Sequence, residues 1–292
     1  MTYSIAAADQ TTHEVGGAGT SCLGGQDVYV IYTALPGRGV VHAQARYSVA
    51  AKGRAAELLA SGDAPADIIA AITQTSFDAG SAERQYGIVD VSGAAAGFTG
   101  NAAMPYAEDR QGTVGSFTYS VQGNILTSGK VLDQAASAFR AGGCDLAERL
   151  MSALEAGAAG GEGDSRCTPD GIPADSAFLQ VEAPSGAPGE YLALRVQSSG
   201  NDDPLPLLRA QLEEWRGDHP CPAPMQPGDP IGGSGGVAGG GGAAGIATLP
   251  ANPNEGDGCG CRITAHEESF VPWLLLGSLL VVALGRRRAT AR

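Results

Sequence analysis

The chain has 292 residues, a formal net charge of −13 and 44 glycines, with only 5 % aromatic residues. That length supplies one large domain or two small ones, and glycine at about twice its usual share implies that part of the chain is not packed. So acidic a surface repels phosphate backbones, which excludes nucleic acid as a partner.

In chain order, Tyr3–Ala8 is an apolar run closed by Asp9, and Glu14–Thr20 is Gly-rich and extended. Val28–Thr33 and Val40–Ala45 alternate as strands do. Two helices follow: Ala51–Ala60, then Ala64–Thr75 with Asp63 as its candidate N-cap and Ile68, Ile69 and Ile72 on one buried face. Tyr86–Val91 and Ala94–Thr99 form a hairpin pattern around Ser92 and Gly93, and Tyr119–Gln122 runs as a strand into Gly123 and Asn124. Helices are expected over Val131–Arg140 and Leu146–Ala156, strands over Ala177–Glu182 and Tyr191–Val196, and a closing helix over Pro204–Trp215. This order fits two antiparallel sheets between helix layers better than a βαβ alternation.

Composition divides the chain into a globular part (1–216), a linker (217–262) and a tail (263–292). In Gly228–Ile246, 10 of 19 residues are Gly, too little apolar surface to offset ordering entropy, so the linker is expected to be flexible. Phe270–Gly285 has no charge and is followed by Arg286, Arg287 and Arg288. At ~1.5 Å per residue a helix of that length spans roughly 24 Å, close to a bilayer core. It is read as a transmembrane anchor with the arginines cytoplasmic and residues 1–262 outside. With Cys259, Cys261, Pro272 and Trp273, the tail resembles the MYXO-CTERM sorting segment, which implies surface sorting by export machinery. Residues 1–25 carry no basic-then-apolar signal, so the helix acts as its own signal or, as we favour, translation starts upstream of Met1.

Six blocks, in family order over about 2–215, resemble the family called domain of unknown function 1028: TYSIAAAD at 2–9, QYGIVD at 85–90, GFTG at 97–100, VQGNIL at 121–126, LAERL at 146–150 and ALEAG at 153–157. The resemblance places the chain in the Ntn-hydrolase superfamily, which implies an α+β, αββα four-layer sandwich and leaves the substrate undefined.

With that resemblance, Thr2 is the candidate nucleophile: a small hydroxyl residue whose own α-amine, if freed, serves as the base. Asn124 is a candidate oxyanion donor, and Asp9 and Asp175 are candidates to stabilise the cationic amine. Gln122 and Gly123, beside Asn124, would border the substrate, and Arg84 with Gln85 could hold an anionic group. No cofactor is expected. The histidines at 13, 42, 219 and 266 lack ligand spacing, no metal site is expected, and His42 reads as a satisfied core residue. No Gly-x-Ser-x-Gly elbow occurs, since Gly19–Leu23 lacks the final Gly. Four cysteines, 22, 144, 167 and 221, allow three connectivities; Cys144–Cys167 is favoured because it would staple the loop after the Leu146 helix to that helix's start. Two functions remain: an exported amide hydrolase, with a cell-wall fragment as one amide substrate, or a surface-displayed binding or structural module on the same fold.

Overall fold

Thr2–Asp9 (β1) is buried along its whole length, on both faces, which only the middle strand of a layered structure achieves. The computed structural model of the chain describes residues 2–198 and 202–221. In it β1 pairs on one side with β2 (Val15–Ser21) and on the other with β8 (Phe117–Asn124), both antiparallel. With β7 (Glu108–Val114), β9 (Ser176–Glu182) and β10 (Leu192–Gln197) these form a six-stranded sheet in the order β10-β9-β2-β1-β8-β7. The second sheet is β3-β4-β5-β6, from Tyr32–Leu35, Gly39–Ala45, Arg84–Asp90 and Ala95–Thr99.

Period-two alternation on β1 sorts the layers. Tyr3, Ile5 and Ala7 face outward into a core with α3 (Lys130–Ala141), α4 (Leu146–Gly157) and α5 (Pro204–Arg216). Ala6 and Ala8 face the other sheet, in a core with Val40, Val89 and Phe178. On the far side of the small sheet, α1 (Val49–Ser61) and α2 (Pro65–Ile72) bury Ala55, Ile68 and Ile72 against Val41, Tyr86 and Ile88. The layers therefore run helix, sheet, sheet, helix. Among the described residues no helix is long and apolar enough to cross a membrane. Residues 270–285, Cys259, Cys261 and nearly all of 217–262 lie outside the described residues.

Four expectations change. Val28–Ile31 is a 3-10 turn rather than strand, because the Asp27 side chain accepts from the Tyr29 N–H and bends the chain before β3. The N-cap of α2 is Ala64 ahead of Pro65, not Asp63, since the Pro65 ring itself sets the first turn. Strand β7 carries no apolar alternation and was not foreseen. The disulfides are Cys22–Cys167 and Cys144–Cys221, with Cα atoms 5.9 and 5.5 Å apart, not Cys144–Cys167. Cys144 precedes α4 and Cys167 follows it, so a helix of twelve residues, about 18 Å long, separates their neighbourhoods.

Candidate active site

The β1–β8 ladder sets Thr2 directly opposite Asn124, and the β1–β2 ladder brings the end of β2 alongside. The Thr2 hydroxyl donates to Ser21 Oγ at 3.2 Å, and its carbonyl accepts from Gln44 Nε2 at 3.2 Å. Asn124 Nδ2 donates to Gln85 Oε1 at 3.0 Å, which fixes the amide's rotation. Just beyond Ser21, the Cys22 N–H donates to the buried Asp164 carboxylate at 2.7 Å, and the Cys22–Cys167 disulfide joins the same two segments covalently. Asp175 sits at this end too. Its two oxygens accept from the N–H groups of Leu23 and Gly24 at 2.8 and 2.7 Å, so it shapes the turn after β2.

Behind Thr2 the space between the sheets is polar rather than oily. Ser4 Oγ donates to Gln44 Oε1 and accepts from Gln122 Nε2, both at 2.7 Å, and His42 Nδ1 lies 2.9 Å away. Ser4 has one proton and spends it on Gln44, so His42 carries its own proton on Nδ1 and presents a lone pair at Nε2. That Nε2 has no partner. A Cβ at position 17 would collide with it, so only glycine lets β2 pass the ring. Complete burial, with a contribution from Lys52, lowers the His42 pKa to about 3, so the ring is neutral at pH 7. Gln85 is the hub: its Nε2 reaches Thr99 Oγ1, the Glu108 carbonyl and the Gly123 carbonyl at 2.9, 3.0 and 2.7 Å. It thereby ties both sheets to the strand that carries Asn124.

The residues singled out from the sequence divide by position. Thr2, Asn124, Gln122 and Asp175 gather at one end of the sandwich. Asp9 ends β1 at the opposite end, on the order of 20 Å from Thr2, and accepts from the Thr11 N–H at 2.8 Å. Gly123 faces the helix layer, where a Cβ would strike Leu126 and Tyr3, so its small size serves packing rather than ligand approach. Arg84 is bound to Asp78 at 2.9 Å, which raises the guanidinium's pKa and holds the Asp78 carboxyl below its usual range. Its neighbour Gln85, on the inner face of β5, is the residue that reaches the site. Ser21, Gln44 and Asp164 escaped sequence reasoning because each arrives from a different strand or loop. The one cluster of metal-type donors among the described residues is Cys22, Cys167 and Asp175. Its sulfurs are bonded to each other and its carboxylate to backbone.

The chain belongs to the family of unknown function DUF1028, whose model matches residues 2–208. Among solved structures it is similar to the protein SPO2555 from Silicibacter pomeroyi, also described by that family. The two are 26 % identical with a TM-score of 0.60, over 74 % of this chain and 89 % of that one. No curated protein matches the chain.

Proposed function

We propose that the protein is an exported amide hydrolase of the N-terminal-nucleophile type, with Thr2 as the nucleophile once the peptide bond before it has been cut. The observation that carries this reading is the place of Thr2: it opens the central strand of the sandwich, 3.2 Å from Ser21 Oγ and across the ladder from the clamped Asn124 amide. In the reaction, Thr2 Oγ1 attacks the substrate carbonyl and passes its proton to the freed α-amine. Asn124 gives one N–H to Gln85, and its other N–H meets the developing oxyanion. The C–N bond breaks as the amine returns the proton to the leaving nitrogen, and water then cleaves the Thr2 ester. No cofactor is required, and the αββα, Ntn-hydrolase assignment belongs to this reading.

Export and anchoring are part of the proposal. Two disulfides fit an oxidising compartment outside the cytoplasm. Residues 270–285 are the membrane anchor, and Cys259 and Cys261 belong to the segment read by sorting machinery. The test is N-terminal sequencing and intact mass of protein from its native envelope, followed by turnover of an amide panel. A chain starting at Thr2, with Thr2→Ala at least about 10³-fold slower, is the expected result. A mature chain keeping any residue before Thr2 overturns it. Thr2 is only 5 % exposed. In that outcome its hydroxyl is a structural partner of Ser21, and the chain is a surface-displayed binding module.

A further inference from the structure

A groove of about 440 Å³ opens where the free edges of the two sheets, β6 and β7, face each other. Its wall includes Thr99, Gly100, Pro105, Glu108, Asp109 and Arg110. Alternation on β7 points Asp109 and Gln111 toward the other sheet, and a Cβ at Gly97 of β6 would strike both side chains. The charges of this wall are not equivalent. Glu108 is paired with Arg110 at 2.6 Å, and Arg110 also reaches Asp133. Asp109 is held by neutral donors alone, the Thr99 hydroxyl at 2.6 Å and the Gln111 amide at 3.1 Å. Among the described residues no Lys, Arg or His nitrogen comes within 4.0 Å of its carboxylate. A carboxylate oriented by hydrogen bonds, lining a groove and left without a counter-ion, attracts a cation from solution.

The groove also adjoins the Thr2 end of the sandwich. Asp109 bonds Thr99, Thr99 bonds Gln85, and Gln85 bonds Asn124, which pairs with Thr2. Three hydrogen bonds and the width of one amide put the Asp109 carboxylate on the order of 10 Å from Asn124 Nδ2. The geometry points to an alkylammonium subsite: Asp109 binds a primary ammonium group of the substrate while that substrate's amide reaches Thr2 and Asn124. The substrate class is then an amide bearing an alkylammonium chain, such as a lysyl amide. As a substrate assignment this rests on the hydrolase reading above; as a binding site it does not.

Two measurements separate the two. Calorimetric binding of Nα-acetyl-lysine amide to the protein, to Thr2→Ala and to Asp109→Asn tests the subsite without turnover. The Asn side chain has one oxygen where Asp109 uses two, so the variant keeps the bond from Thr99 and the steric outline but loses the one from Gln111. Binding by wild type and Thr2→Ala, weakened at least tenfold in Asp109→Asn and absent for Nα-acetyl-norleucine amide, is expected. No binding, or equal binding of both amides, overturns the subsite. Turnover of lysine and norleucine p-nitroanilides then follows. Asp109→Asn should raise the KM for the lysyl substrate about tenfold and abolish the preference over the norleucyl one, whereas Thr2→Ala stops both. Ammonium binding without turnover of either anilide sinks the hydrolase reading alone. Turnover with a preference that survives Asp109→Asn sinks the subsite alone.

Discussion

The layer between the two sheets is built in two halves that solve the same problem differently. One part is apolar: Ala6, Ala8, Val40, Val89 and Phe178 pack together, with the Tyr32 ring edge-on to Phe178 at 5.5 Å. Toward Thr2 it is a hydrogen-bonded lattice of Ser4, His42, Gln44, Gln85, Gln122 and Asn124, each at most 1 % exposed. An apolar half stabilises by area and tolerates small shifts of one sheet over the other. A buried polar half gains little net energy but penalises every displaced donor, so it fixes the register of the sheets. The difference teaches where rigidity is placed. The part that specifies geometry lies directly behind Thr2, and the apolar part meets it where the Phe178 ring packs on His42, centroids 5.9 Å apart.

Breaking the oily half should cost most. Phe178→Ala removes a fully buried ring and is expected to lower unfolding free energy by about 3–5 kcal/mol in urea titrations. Acid attacks the polar half through His42. Its folded pKa of about 3 lies below the unfolded value of 6.5, so its contribution is complete above pH 6.5 and is lost as pH falls toward 3. At pH 4 the loss is about 3 kcal/mol relative to pH 7. Paired carboxylates such as Asp78 and Asp145 are also lost in acid. The quantity to measure is therefore the wild-type pH slope minus that of His42→Gln, which should be flatter. Gln85→Ala orphans Asn124 Nδ2 and the Gly123 carbonyl and is expected to cost about 2 kcal/mol. Its sharper signature is faster amide hydrogen exchange on β8. Tyr32→Phe should be the mildest, below about 1 kcal/mol, because its hydroxyl reaches Glu182 only at 3.5 Å, and Glu182 keeps its bonds from Gln180 and the Gly189 N–H. A Tyr32→Phe loss larger than that of Gln85→Ala would reverse the assignment of the two halves.

The same division explains what was legible in the sequence. Where one face is oily and the other packs on helices, apolar runs and helical spacing mark the elements, and β1, β4, α3, α4 and α5 fall within a residue or two of expectation. Where neither face is apolar, the signal disappears. Strand β7 reads EDRQGTV, and its inward Asp109, Gln111 and Thr113 look like loop chemistry until Ser120 and Thr99 are beside them. Thr2 and Asn124 were readable because each ends a recognisable strand, and the ladder then makes them neighbours. Arg84 and Gln85 read as one anion-binding pair, yet alternation turns Arg84 outward to Asp78 and Gln85 inward to Asn124. Asp9 shares β1 with Thr2, and an extended strand converts that closeness in sequence into maximal separation in space. The cysteine pairing failed for a related reason: closeness along the chain ignored the length of the helix between.

The Cys144–Cys221 bridge has a mechanical meaning. Cys221 follows α5 and is the last described residue, and Cys144 precedes α4 at the centre of the outer helix layer. Tension applied through the chain beyond Cys221 passes across a covalent bond into α4, and never peels α5 from the sheet turn by turn. The helix that would otherwise unzip first is shielded from load, so the fold can be pulled by its C-terminal side while the Thr2 end stays in register.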